Sequence, residues 1–122
     1  MVAIAAVNPA QVLAKATMGA AELLGLKGPA LSRILGISEA TISRIQAGAR
    51  GVDPASKEGE LAILLIRVFR SLDALVGNDD AKRLAWMTSV NRALGGTPAQ
   101  LIERTEGLVA TLNYLDGMRA RA

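Results

Sequence analysis

Apolar residues recur along this chain at spacings of three and four, and nowhere in strict alternation. The pattern therefore predicts helices throughout and no strand. Asn8-Pro9 reads as a cap and a helix-opening proline leading into QVLAKATMGAAELLGL, with Val12, Leu13, Ala16, Ala20, Leu23 and Leu24 on one face. Gly28-Pro29 opens a second, short helix, and Gly48 to Pro54 reads as a turn. A long helix follows from about Ser56 to Val76, stopped by Gly77-Asn78. Asp79 or Asp80 caps the next helix, expected to run to Leu94 and stop at Gly95-Gly96. Thr97-Pro98-Ala99-Gln100 reads as a capping box with proline at the first helical position, and a last helix begins near Thr105. No internal repeat is visible.

Residues 28–47, GPALSRILGISEATISRIQA, carry the apolar skeleton of two crossed helices. With Gly36 in the turn, Leu31, Leu35, Ile37, Ile42 and Ile45 fall where such a pair must bury side chains. Small Ser32 falls at the closest approach. Gly36 suits the positive φ that ends a helix, and Ser38 can cap the next one by accepting a backbone N–H. This is the spacing of a helix-turn-helix, with a recognition helix of about Glu39 to Gln46.

The residues left facing outward bear on its use. Glu39, Ala40, Thr41, Ser43 and Arg44 are short, polar or basic and can approach base edges. Arg44 suits a guanine or a phosphate, and Thr41 a thymine methyl. Lys27, Arg33 and Arg50 flank the corner as phosphate contacts, and Ser38 joins them as the cap. Glu39 fits a groove only by accepting from a cytosine. The competing reading is a tight helical corner in an all-α core that touches no DNA.

In the long helix, Leu61, Leu65, Val68, Leu72 and Leu75 alternate spacings of four and three, a heptad-like seam that Leu64 and Ile66 widen. One reading makes it the central helix of a single core. The other pairs Leu61, Leu64, Leu65, Val68, Leu72 and Leu75 with a second copy, because operator reading usually needs two readers about 34 Å apart. A homodimer is the expectation.

Composition changes the picture little, except through charge and absences. The net charge is +3, and all of it lies in residues 1–57, with six Lys and Arg against three Asp and Glu. Residues 58–122 hold eight of each, so the basic excess sits in the half with the expected reader. The chain has no Cys and no His, which removes disulfides, thiolate metal sites and the commonest general base. The carboxylate pairs Glu58/Glu60 and Asp79/Asp80 sit at helix starts with no nucleophile beside them, so catalysis is not expected and no cofactor is implied. The longest apolar run, Leu61 to Ile66, is too short for a membrane span, and MVAIAAV lacks a basic leader region. A cytoplasmic protein without membrane or small-molecule partners is the expectation.

Residues 85–107, AWMTSVNRALGGTPAQLIERTEG, resemble the toxin-binding domain of the Xre/MbcA/ParS antitoxins. The resemblance rests on Trp86, on the Asn-x-x-Leu-Gly-Gly-x-Pro core at Asn91, Leu94, Gly95, Gly96 and Pro98, and on Thr105 and Gly107. SKEGELAILLIRVFRSLDALVG is similar to the linking helix of that family, and with the helix-turn-helix the resemblance spans about residues 11–116. It implies an all-α protein with an Xre-like helix-turn-helix DNA-binding domain (1–54), a linking and dimerisation helix (55–78) and a small helical toxin-binding domain (79–122).

The family's partners include RES-domain toxins, which consume NAD. The resemblance implies an antitoxin whose C-terminal region blocks the toxin's active site and whose reader represses its own operon. The toxin surface is expected on the last helix, where Leu108, Leu112 and Leu115 form one stripe and Met118, Arg119 and Arg121 continue toward the end. The two arginines are candidates for the plug, since Arg grips carboxylate and phosphate bidentately. A frayed, solvated tail is the plainer reading. Trp86 is expected to anchor the small core, and Asn91 to tie its turn.

Two departures from the pattern stand out. Gly28-Pro29-Ala30 replaces the Thr or Ser and Gln that related readers place at the phosphate, and the recognition helix holds one arginine. Operator binding is therefore expected to need a larger hetero-oligomer, two dimers bridged by toxin. The alternative is a stand-alone dimeric helix-turn-helix repressor with no toxin partner, which leaves residues 79–122 without a task.

Overall fold

The computed structural model describes residues 7–121. Among them the chain forms α1 (Pro9–Leu23), α2 (Gly28–Leu35), α3 (Glu39–Gln46), α4 (Lys57–Val76), α5 (Asp80–Thr88), α6 (Pro98–Leu101) and α7 (Thr105–Arg121). The reading of MVAIAAV falls mostly on residues outside this range. The architecture is all-α, with α4 packed against α1, α2, α5 and α7. No helix among the described residues is long and apolar enough to cross a membrane.

The helix ends follow local chemistry. The Asn8 side chain accepts from Ala10 and Gln11, Ser38 from Thr41, Ser56 from Gly59 and Asp79 from Lys82, each satisfying an orphan N–H of a first turn. Glu58 and Glu60 lie in the first turn of α4, where acidic groups suit the helix dipole.

The core is continuous across the molecule. Leu61, Ala62, Leu65, Val68 and Leu72 of α4 join Leu31, Ile34, Leu35, Ile42 and Ile45 of the reader and Met87, Ile102, Leu108, Leu112 and Leu115 of the C-terminal helices in one cluster. The heptad-like seam is thus consumed within the chain. Leu61, Leu65, Val68 and Leu72 are buried, with Leu64 half-buried and Leu75 alone exposed, so four of the six residues expected at a dimer interface meet their own α1, α2 and α7 instead. A helix walled on several sides needs its apolar arc for its own neighbours.

Three further expectations are corrected. The buried face of α1 is Ala14, Thr17, Ala20 and Ala21, while Val12, Ala16 and Leu23 project outward. Small side chains let α1 lie close against α4, which outweighs the larger apolar residues on its other side. Helix α5 stops at Thr88, well before Leu94. The Thr88 and Ser89 hydroxyls bond back to the carbonyls of Leu84 (2.8 Å) and Ala85 (2.6 Å), and Ser89 turns extended at φ −98°, ψ 151°. The capping box at Thr97 does not form. Helix α6 is one turn long, and Thr97 makes no side-chain cap bond.

The α6–α7 corner is held by contact. A Cβ on Gly107 would lie 2.0 Å from the Leu101 carbonyl oxygen, so only glycine lets α7 start this close to α6.

Candidate functional site

The α2–α3 corner forms as its spacing predicts. Gly36 takes φ 69° and its N–H bonds the Ser32 carbonyl, ending α2 in the left-handed region. The Ser32 hydroxyl donates to the Ile37 carbonyl across the turn. Leu31, Leu35, Ile42 and Ile45 are buried and Ile37 is half-buried, so α3 can present only its other side.

That side holds Glu39, Ala40, Ser43 and Arg44, all exposed. Thr41 differs from expectation: it is buried, its Oγ1 lies 2.9 Å from Ser38 Oγ, and it accepts from Arg44 Nη2 at 3.1 Å. Thr41 therefore orients the arginine rather than offering its methyl to a base. Lys27 is exposed at the N-cap of α2 without a side-chain cap bond.

The two flanking arginines are held in place. Arg50 pairs with Glu58 at 3.2 Å. Arg33 pairs through Nε and Nη2 with Glu103, just beyond α6, and that carboxylate raises its pKa above the ordinary guanidinium value by hydrogen bond and charge. A residue expected at a DNA phosphate thus bridges the reader to the C-terminal helices.

The C-terminal surface departs further from the sequence reading. Leu108, Leu112 and Leu115 are buried in the shared core, because α7 spends its apolar stripe on α4. Only Met118, Arg119 and Arg121 of the expected toxin-facing residues are exposed. Arg119 Nη1 donates to Ser71 Oγ at 3.1 Å, and Ser71 donates to Asp116 Oδ1 at 2.6 Å. Arg67 closes the group at 3.5 Å from Asp116. Arg121 Nε reaches the Gly117 carbonyl at 3.4 Å.

The turn after α5 is rigid by hydrogen bonding. Asn91 N–H donates to the Gly96 carbonyl at 2.9 Å, the Asn91 carbonyl accepts from Gly95 and Gly96, and its Oδ1 accepts from Leu94 N–H at 3.1 Å. Trp86 is half-buried and packs against the core, with Met87 fully buried beside it.

The one buried charged side chain among the described residues escaped the sequence reading. Arg83 is 3% exposed, donates to Asp73 Oδ1 at 2.7 Å and Asp80 Oδ1 at 2.8 Å, and reaches the Leu23 carbonyl at 3.4 Å. Its guanidinium lies 5.5 Å from the Phe69 ring centroid. The hydrogen bonds to Asp73 and then Asp80 raise its pKa despite desolvation, so it stays charged. Asp80, three residues before it, was the visible signal; Asp73 and Leu23 come from other helices.

No group of three or more metal-type ligands forms among the described residues. What the geometry offers is a polar helix face at one corner and a helical C-terminal module, joined by α4.

Two family models match these parts. Residues 3–67 match the antitoxin Xre-like helix-turn-helix domain, and residues 71–121 match the antitoxin Xre/MbcA/ParS C-terminal toxin-binding domain. No curated protein matches the chain in sequence. A helix-turn-helix with its outward face polar is followed by the toxin-binding module, α4 running from the first matched stretch into the second, and the chain belongs to the Xre family of antitoxins.

Proposed function

We propose that the chain neutralises a RES-domain, NAD-consuming toxin and represses its own operon. The observation that carries this reading is the coupling of a reader and a toxin-binding module on the shared helix α4. Glu39, Ala40, Ser43 and Arg44 enter the major groove, with Lys27 at the backbone and Thr41 holding Arg44 in place. Two copies read the operator. Leu75 and half-buried Leu64 remain on α4 for that pairing, and toxin bridges two dimers into a larger assembly.

The exposed end of α7 blocks the toxin's nucleotide pocket. Arg121 and Arg119, both exposed, grip phosphate or carboxylate there, Arg119 exchanging its bond to Ser71, and Met118 supplies an adaptable apolar contact. The protein acts in the cytoplasm by binding alone and performs no catalysis.

Co-expression tests the reading. A RES-domain toxin co-expressed with this chain should arrest growth alone and not in its presence. A version ending at Asp116 should keep operator binding in a gel shift while losing rescue. Continued arrest beside the intact chain would sink the proposal, and rescue by the shortened chain would move the plug elsewhere.

A further inference from the structure

The residues expected to give the toxin an apolar seat are unavailable to it. Leu108, Leu112 and Leu115 lie at 0%, 3% and 0% exposure against α4. A protein interface still needs a desolvated centre, and polar residues at the end of α7 do not make one. The apolar seat must lie elsewhere in residues 71–121, the stretch that matches the toxin-binding domain.

Of the large apolar residues exposed there, Leu75, Leu84, Val109 and Met118 are each near two-fifths exposed, whereas Val90 reaches 76%. Leu84 already faces Gly25, where an added Cβ would meet its side chain at 2.8 Å. Val90 stands apart. It lines a shallow concavity of about 340 Å³ with Lys82, Ala85, Trp86, Ser89 and Asn91.

The geometry of this patch is that of an anchor. Trp86 is the chain's one tryptophan, half-buried so that part of its ring faces the concavity. Val90 stands on a turn pinned by the Asn91–Gly96 pairing and by Asn91 Oδ1, so its position costs little ordering entropy on binding. Lys82, in the lining, and Arg92, two positions after Val90 in sequence, are exposed, and neither makes an ion pair among the described residues. An apolar knob with a basic margin fits an apolar socket rimmed by carboxylates.

We propose that Val90 and Trp86 are the apolar anchor by which this chain docks its toxin, seated in a socket whose rim carboxylates meet Lys82 and Arg92. The inference rests on the antitoxin reading and adds a docking surface separate from the end of α7. It commits to the toxin as occupant because the patch lies wholly inside the matched toxin-binding domain. The α2–α3 reader contributes none of its residues.

The test measures affinity of purified full-length chain for a RES-domain toxin that the unaltered chain neutralises on co-expression. Val90→Glu should weaken binding at least about 30-fold, the scale of losing an interface hot spot. Arg92→Glu should weaken it severalfold, more at low salt than at high. Both positions are exposed, so the thermal midpoint and the operator gel shift should not move. Wild-type affinity in both variants overturns the inference and leaves the antitoxin reading intact. A variant that becomes monomeric while still binding toxin normally also overturns it, assigning the patch to a second copy. Failure of the unaltered chain to bind overturns both readings.

Discussion

The two ends of this molecule bury similar helices but show different faces. The α2–α3 corner hides every large apolar side chain of its recognition helix and presents Glu39, Ala40, Ser43 and Arg44. The turn after α5 does the reverse and holds Val90 out on a hydrogen-bonded scaffold. A phosphate-lined groove rewards polar and cationic groups that can exchange water and counterions. A protein surface rewards apolar area that leaves water altogether. The contrast separates the partners by chemistry before either is identified.

Four changes test whether the halves differ only at their surfaces. Leu65 is fully buried in the shared cluster, and Leu65→Ala should lower stability by about 3–4 kcal/mol. Urea unfolding should stay a single transition that takes operator and toxin binding away together. Separate transitions for the two halves would break the picture of one core.

Arg83→Ala should cost about 2–3 kcal/mol. It strands Asp73 and removes the link to the Leu23 carbonyl, although partial hydration of Asp73 and exposure of Asp80 soften the loss. Denaturant titration reads it, and a loss under 1 kcal/mol would show that the buried pair is neutral. Arg44→Ala should cut operator affinity about tenfold in a gel shift without altering toxin affinity, sharpening the contrast between the faces. Glu103→Gln should be nearly silent in thermal melts, since the pair is at the surface. By releasing Arg33 it should tighten operator binding slightly; weaker binding would give the salt bridge a different role.

The sequence was most legible where the backbone itself decides. Gly36, Gly77, Asn8 and Ser38 mark their turns and caps because a positive φ or an unpaired N–H admits few residue types. The span of α3 and the end of α4 follow directly. Which partner takes an apolar stripe is another matter, because periodicity defines a face without saying what covers it. The seam of α4 and the leucines of α7 both looked like interaction surfaces, and each is the other's partner.

The end of α5 was hidden for a local reason. The hydroxyls of Thr88 and Ser89 compete with the helical ladder, an effect that neither residue signals on its own. Arg83 was hidden because its partners come from three helices. Val90 left one trace, a solitary apolar residue between Ser89 and Asn91 in a polar turn.

Arg83 ties the last residue of α1 to α4 and α5, and so fastens the DNA reader to the module behind it. If the single unfolding transition expected above holds, neither half melts while the other persists. Any protease that acts on the opened chain would then remove both halves at one rate, set by the free energy of a single opening. The cell can change how much of this protein it keeps. On that footing turnover would not retain the helix-turn-helix half and discard the toxin-binding half.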